Sequence, residues 1–172
     1  MSEDELSTGL GRLSCIAGMG HDVVSISDFQ QQLNLPGSRF ENLFSSREKA
    51  QCRAHSGVSL EDYARHLAVR WAGKEAFLKA WSHALVPQTH MPYSMEAFPW
   101  NAIEILSDSV RRPSIFLSSD VMQRLTESLG QSVTLHTSLS HDGNVASAVV
   151  LLEANAGLRY ASKDIVKEKA GQ

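Results

Sequence analysis

The chain has 172 residues and a mass of 18.9 kDa, enough for one domain with a real core. An apolar fraction of 42% and a charged fraction of 20% exclude a disordered chain, and no apolar run approaches the roughly 18 to 20 residues of a membrane-spanning helix. The net charge of -3 argues against wholesale nucleic-acid binding, although half of the sixteen basic residues fall between Arg39 and Lys79.

The first residues, MSEDELSTGLG, have neither the basic n-region nor the apolar h-region of a secretory signal, so a cytoplasmic location is expected. The patterned elements occupy 13–153, between a flexible extension over 1–12 and a peripheral tail over 154–172. Leu13 to Met19 predicts a buried strand closed by Gly18 and Gly20, with a turn and Asp22 after it. Ser27-x-x-Gln30 predicts the capped start of a short helix to about Leu33, which Asn34-Leu35-Pro36-Gly37 ends. Ser45-x-x-Glu48 opens another helix through about His55, and Ser59-x-x-Asp62 caps the longest one, reaching about His83. Pro87, Pro92 and Pro99 predict a loop over 84–99.

Strands are predicted over 101–107 and 114–117 around the basic turn Arg111-Arg112-Pro113, followed by an amphipathic helix from Ser119 to Leu129 stopped by Gly130. Val133, Leu135, Thr137 and Leu139 alternate with Thr134, His136, Ser138 and Ser140, as in a half-buried strand. His141-Asp142-Gly143-Asn144 supplies a hairpin turn, and 145–152 returns as the partner strand. Hairpins with one long helix and several short ones, without regular strand-helix alternation, predict an α+β domain with helices packed on an antiparallel sheet.

Within the long helix, steps of about 100° per residue put Leu60, Ala64, Leu67, Trp71 and Leu78 on one apolar stripe, with Lys74 in its middle and Glu75 at its border. An unpaired buried ammonium would cost several kcal/mol, so Lys74 must snorkel, pair, or face an anionic ligand. Glu75 and Lys79 could be a plain surface i,i+4 pair. Asp22, in a separate segment, offers a second carboxylate. Two carboxylates together leave positions open to water and phosphate, the way magnesium is usually held.

Other chemistries lack their signatures. Cys15 and Cys52 show no redox or zinc spacing and are expected to be buried free thiols. The seven histidines have no zinc-site spacing, and neither a P-loop nor a Gly-x-Ser-x-Gly elbow occurs. Trp71, Trp81 and Trp100 read as core residues rather than as a base-stacking platform.

Three ordered blocks, Gly20-His21-Asp22, RWAGKEAFLKAW over 70–81 and SLSHDGNVASAVVLLE over 138–153, resemble the holo-acyl-carrier-protein synthase family of small 4'-phosphopantetheinyl transferases. The resemblance implies transfer of the phosphopantetheine arm of coenzyme A to a serine of apo acyl carrier protein, with release of adenosine 3',5'-bisphosphate. By position it implies Asp22 and Glu75 as magnesium ligands, Lys79 against the pyrophosphate, and Arg70 and Lys74 on the same phosphate-binding side. Ser140 and His141 would approach the 3'-phosphate end of coenzyme A. Glu75, directly or through a water, would take the serine proton. It also implies a homotrimer with sites between subunits. Acyl carrier proteins are acidic, so Arg39, Arg47, Lys49, Arg53 and Arg65 form a candidate docking surface. This chain has Ser25 and Asp28 where the family often has an acidic residue and an arginine, and Arg111 where it usually has glycine. Ser25, Asp28 and the two tails motivate the alternative of a non-catalytic interaction or coenzyme-A-binding module of the same fold.

Overall fold

The computed structural model describes residues 14–56, 59–85 and 90–155, so the expected 1–12 extension, most of the expected tail and Pro87 lie outside the described residues. In chain order the elements are β1 (Ser14–Ser25), α1 (Ile26–Asn34), a 3-10 turn (Phe40–Leu43), α2 (Ser46–Ser56) and α3 (Leu60–Ala84). A second 3-10 turn (Trp100–Ala102), β2 (Ile103–Ser107), β3 (Pro113–Leu117), α4 (Ser119–Leu129), β4 (Val133–Asp142) and β5 (Val145–Asn155) follow. The fold is α+β, with an antiparallel sheet of order β1-β5-β4 and a separate β2-β3 hairpin. Among the described residues no helix is long and apolar enough to cross a membrane.

Most boundaries follow the local chemistry of the sequence. Ser59 accepts from the Asp62 amide at the start of α3, Ser118 from the Val121 amide at the start of α4, and Gly130 ends α4 in the left-handed conformation. At α2 the capping box is reciprocal: Ser45 Oγ accepts from the Glu48 amide, and Glu48 Oε2 accepts from the Ser45 amide. At α1 the capping residue is Ser25 rather than Ser27, because the strand runs further than its apolar residues suggest. The expected turn before Asp22 does not exist; Asp22 lies inside β1, paired with Ala148. Likewise His141 and Asp142 belong to β4, leaving Gly143 and Asn144 as the turn.

Helix α3 is the centre of the molecule rather than a one-sided amphipathic helix. From Leu67 to Trp81 its buried residues face in all directions, while Leu60, expected in the apolar stripe, is exposed. Strands β1 and β5 cover one side, and α1, α2 and β2 cover the others. Two glycines allow the closest approach: a β-carbon at Gly18 or Gly20 would overlap the carbonyl oxygen of Ala80 or Ala76. Gly18, Gly20 and Asp22 alternate toward α3, whereas Met19, His21 and Val23 face outward. A one-residue bulge at Ala17, between the pairs Ile16–Glu153 and Gly18–Leu152, sets this phase. Cys52 is buried as expected, but Cys15 is exposed.

Candidate active site

The tight packing of β1 on α3 brings Asp22 to the face that carries Glu75 and Lys79. Lys79 Nζ donates to Asp22 Oδ1 at 2.7 Å and to the His21 carbonyl at 3.2 Å. The Asp22 side chain is 8% exposed and that of Lys79 is 55% exposed, so the pair sits at a surface opening. Asp22 Oδ2 is buried, and no donor reaches it. A buried carboxylate oxygen without a partner is costly unless something absent from the protein chain completes it.

Glu75 is half-buried beside this pair. Burial and the neighbouring Asp22 charge push its carboxyl up from an ordinary 4.5 to about 7, opposed by Lys79 and by the indole of Trp71 one turn earlier. The two carboxylates therefore converge from β1 and α3. Among the described residues no third His, Cys, Asp or Glu joins them as a metal ligand. Two carboxylates with an unmatched oxygen fit a magnesium ion that completes its shell with water and phosphate, better than an all-protein cage.

Lys74 and Arg70 are not on this side. Lys74 is fully buried and paired with the equally buried Glu48 at 2.9 Å; its other donors go to the carbonyls of Trp100, at 2.6 Å, and Ile103. Arg70 donates to the carbonyls of Ile105 and His66 and to the Gln51 amide oxygen. The expectation that these cations face phosphate is corrected by the depth of α3, which leaves Lys74 neutralised by Glu48 and Arg70 hydrogen-bonded to uncharged oxygens inside the fold. Ser140 and His141 are also remote from the carboxylates within one chain. Ser140 pairs with Ser147, itself paired with Val23, a row that faces outward. Two strand spacings of about 4.8 Å separate β4 from β1. The charge of His141 is felt at His66, whose imidazole is held below its usual value by burial first and then by Arg70, His55 and His141.

A model of the 4'-phosphopantetheinyl transferase superfamily matches residues 18–149. The chain belongs to that superfamily. It is similar to the holo-[acyl-carrier-protein] synthase of Bifidobacterium adolescentis, 48% identical over 149 residues, covering 79% of this chain and 98% of the relative. The Mycobacterium leprae enzyme of the same name is 39% identical over 141 residues, or 80% of this chain and 97% of that one. Among solved structures, the Chronobacterium ammoniagenes ACPS-CoA complex superimposes with a TM-score of 0.71 at 39% identity, covering 78% of this chain and 95% of the other.

Two features of this family member escaped the sequence. Glu48 was legible as a capping residue, but not as the partner of Lys74. Trp71 packs against a core cluster as expected, but its effect on the Glu75 carboxyl was not legible. The candidate cationic docking surface is also thinner than its sequence. Arg47 binds Glu104 at 2.7 Å, Arg53 binds Glu41 at 2.9 Å, and Arg65 pairs with Asp62 and Glu61. Arg39 and Lys49 make no ion pair among the described residues, so they hold most of the net positive charge available to a partner.

Proposed function

We propose that the chain is a magnesium-dependent holo-acyl-carrier-protein synthase, moving 4'-phosphopantetheine from coenzyme A to a serine of apo acyl carrier protein and releasing adenosine 3',5'-bisphosphate. The observation that carries this reading is the convergence of Asp22, Glu75 and Lys79 with Asp22 Oδ2 left unmatched. Asp22 and Glu75 would hold the ion, which when bound supplies charge neutralisation on the pyrophosphate. Lys79, on a long exposed stem, can turn from Asp22 to a phosphate oxygen. Glu75, with a carboxyl near 7, is matched to accept the serine proton as the serine oxygen attacks the phosphorus and the bond to the bisphosphate breaks.

The separation of Ser140 and His141 from the carboxylates supports a site shared between copies. The outward face of the three-stranded sheet carries Met19 and Val23, exposed by 54% and 56%, together with Val149. Such a face on a globular chain marks a contact surface, and we assign it to the homotrimer, with one copy's Ser140 and His141 serving the 3'-phosphate bound at its neighbour's carboxylates. The setting is cytoplasmic fatty-acid synthesis. Incubation with coenzyme A, magnesium and apo carrier should add phosphopantetheine to the carrier by mass spectrometry. Coenzyme A binding without any transfer would instead favour a non-catalytic module, and a monomer by light scattering would remove the shared site.

A further inference from the structure

A lysine enclosed within the central helix, one residue before the proposed metal ligand Glu75, needs an account beyond charge neutralisation. Lys74 uses all three of its donors, on Glu48, Trp100 and Ile103. Glu48 in turn accepts from the amides of Ser45, at 2.9 Å, and Ile105, at 3.0 Å. These bonds join the start of α2, the middle of α3 and the segment 100–105. Each is directional, so together they fix where that segment lies along α3, which apolar contact alone does less well.

The segments so fixed carry the aromatic rings around Trp71. Its ring centroid lies 4.8 Å from Trp100, 5.2 Å from Phe40 and 6.3 Å from Phe44. The Trp100 carbonyl is bound by Lys74, and Phe44 directly precedes the Ser45 cap and lies 5.3 Å from the ammonium. Held between these rings, Trp71 has little freedom to turn, and its indole stands one helical turn before Glu75. A shift of the 100–105 segment would loosen the bracket around Trp71, whose indole acts on the Glu75 carboxyl.

We infer that the buried Glu48–Lys74 pair is a positioning device for Glu75, acting through the aromatic bracket around Trp71. This rests on the reading of Glu75 as a magnesium ligand. The pair touches neither substrate nor metal; it sets the geometry of the residue that does.

The test is the near-isosteric apolar double variant E48L/K74M, with Trp71→Phe beside it. Melting temperature, magnesium affinity by calorimetry, and the kcat and KM for coenzyme A are measured for both. The double variant removes both charges together but leaves the Ser45 and Ile105 amides and the Trp100 and Ile103 carbonyls without these partners, so it is expected to fold with a lowered melting temperature. Its magnesium affinity and kcat should nevertheless fall by about tenfold, the usual scale for groups that orient a ligand, with KM for coenzyme A little changed. Trp71→Phe keeps the packing and loses the N–H, and should fall in the same direction. A folded double variant with wild-type magnesium affinity and kcat would reduce the pair to a structural role and overturn the inference. So would a large rise in KM for coenzyme A at unchanged kcat, which would put Lys74 on the phosphate side. Should the double variant not fold, Trp71→Phe decides: weaker magnesium binding supports the bracket, and unchanged binding with unchanged kcat overturns it. Wild-type protein that binds magnesium without transferring anything would fail the proposed function, while leaving the calorimetric comparison intact.

Discussion

Two lysines five residues apart on α3 each pair with a carboxylate at less than 3 Å, and they behave as opposites. Lys74 and Glu48 are both 0% exposed, and every donor of the lysine is matched. Lys79 is largely in solvent, and its partner Asp22 keeps a buried oxygen that nothing completes. Distance does not separate the two pairs; leftover valence does. The closed pair is consistent with structure, and the open one invites an ion.

The sharpest break of this comparison is Glu75→Gln at the open pair. It should lower kcat by about 10²- to 10⁴-fold, the range for losing a general base, with the melting temperature unchanged or raised because a strained carboxyl is gone. Steady-state kinetics beside a thermal melt checks this, and activity that survives would remove Glu75 from the mechanism. Next is Glu48→Ala at the closed pair, which strands a buried ammonium and should cost about 3–5 kcal/mol in a denaturant titration. The matching change at the open pair, Lys79→Ala, should cost less than Glu48→Ala in the same titration, because solvent screens the lysine although the buried Asp22 loses its ion partner, while turnover drops.

Glu75 also makes a pH prediction. Its carboxyl is raised in the folded chain, so folding favours the protonated form. The contribution of this group to stability is fully present below the ordinary 4.5 and is lost as pH rises toward about 7. Without magnesium, the wild type should therefore lose stability relative to Glu75→Gln across that window and level off above it. Magnesium affinity should rise across the same window, because the ion displaces a proton. A flat difference between the two melting curves would contradict the raised carboxyl.

The smallest effect belongs to neither pair. Arg111 adopts φ 65 in the β2–β3 turn, a left-handed conformation that costs a side-chain-bearing residue about 1 kcal/mol. The turn is held by Asp108, which accepts from the Val110 and Arg112 amides and the Arg112 guanidinium. Arg111→Gly should raise stability by about 1 kcal/mol and leave kcat alone, read by denaturant midpoint.

The long helix, its Ser59 cap, the α4 stop at Gly130 and the alternation of β4 were legible because they are local: capping side chains, a left-handed glycine and a period of two. The end of β1 was not, because Gly20, His21 and Asp22 look like turn residues until α3 packs against them. Asp22 and Glu75 were visible through the ordered motifs, and Lys79 with them. The fate of Lys74 depended on Glu48, 26 residues away, and nothing in the sequence says that the carboxylate of a capping box has a second use. Arg47, Arg53 and Arg65 read as a cationic surface only while their acidic partners were counted apart.

The extra residue in β1 has a mechanical side. Ala17 bends the ladder between the first three positions of the strand and the run that carries Asp22. A tug on the strand near Ser14, from a fused partner or an added tag, would be absorbed at that kink before it travelled eight residues onward. The leading end of the strand is thus a place where the molecule can be tethered while its carboxylate stays aimed.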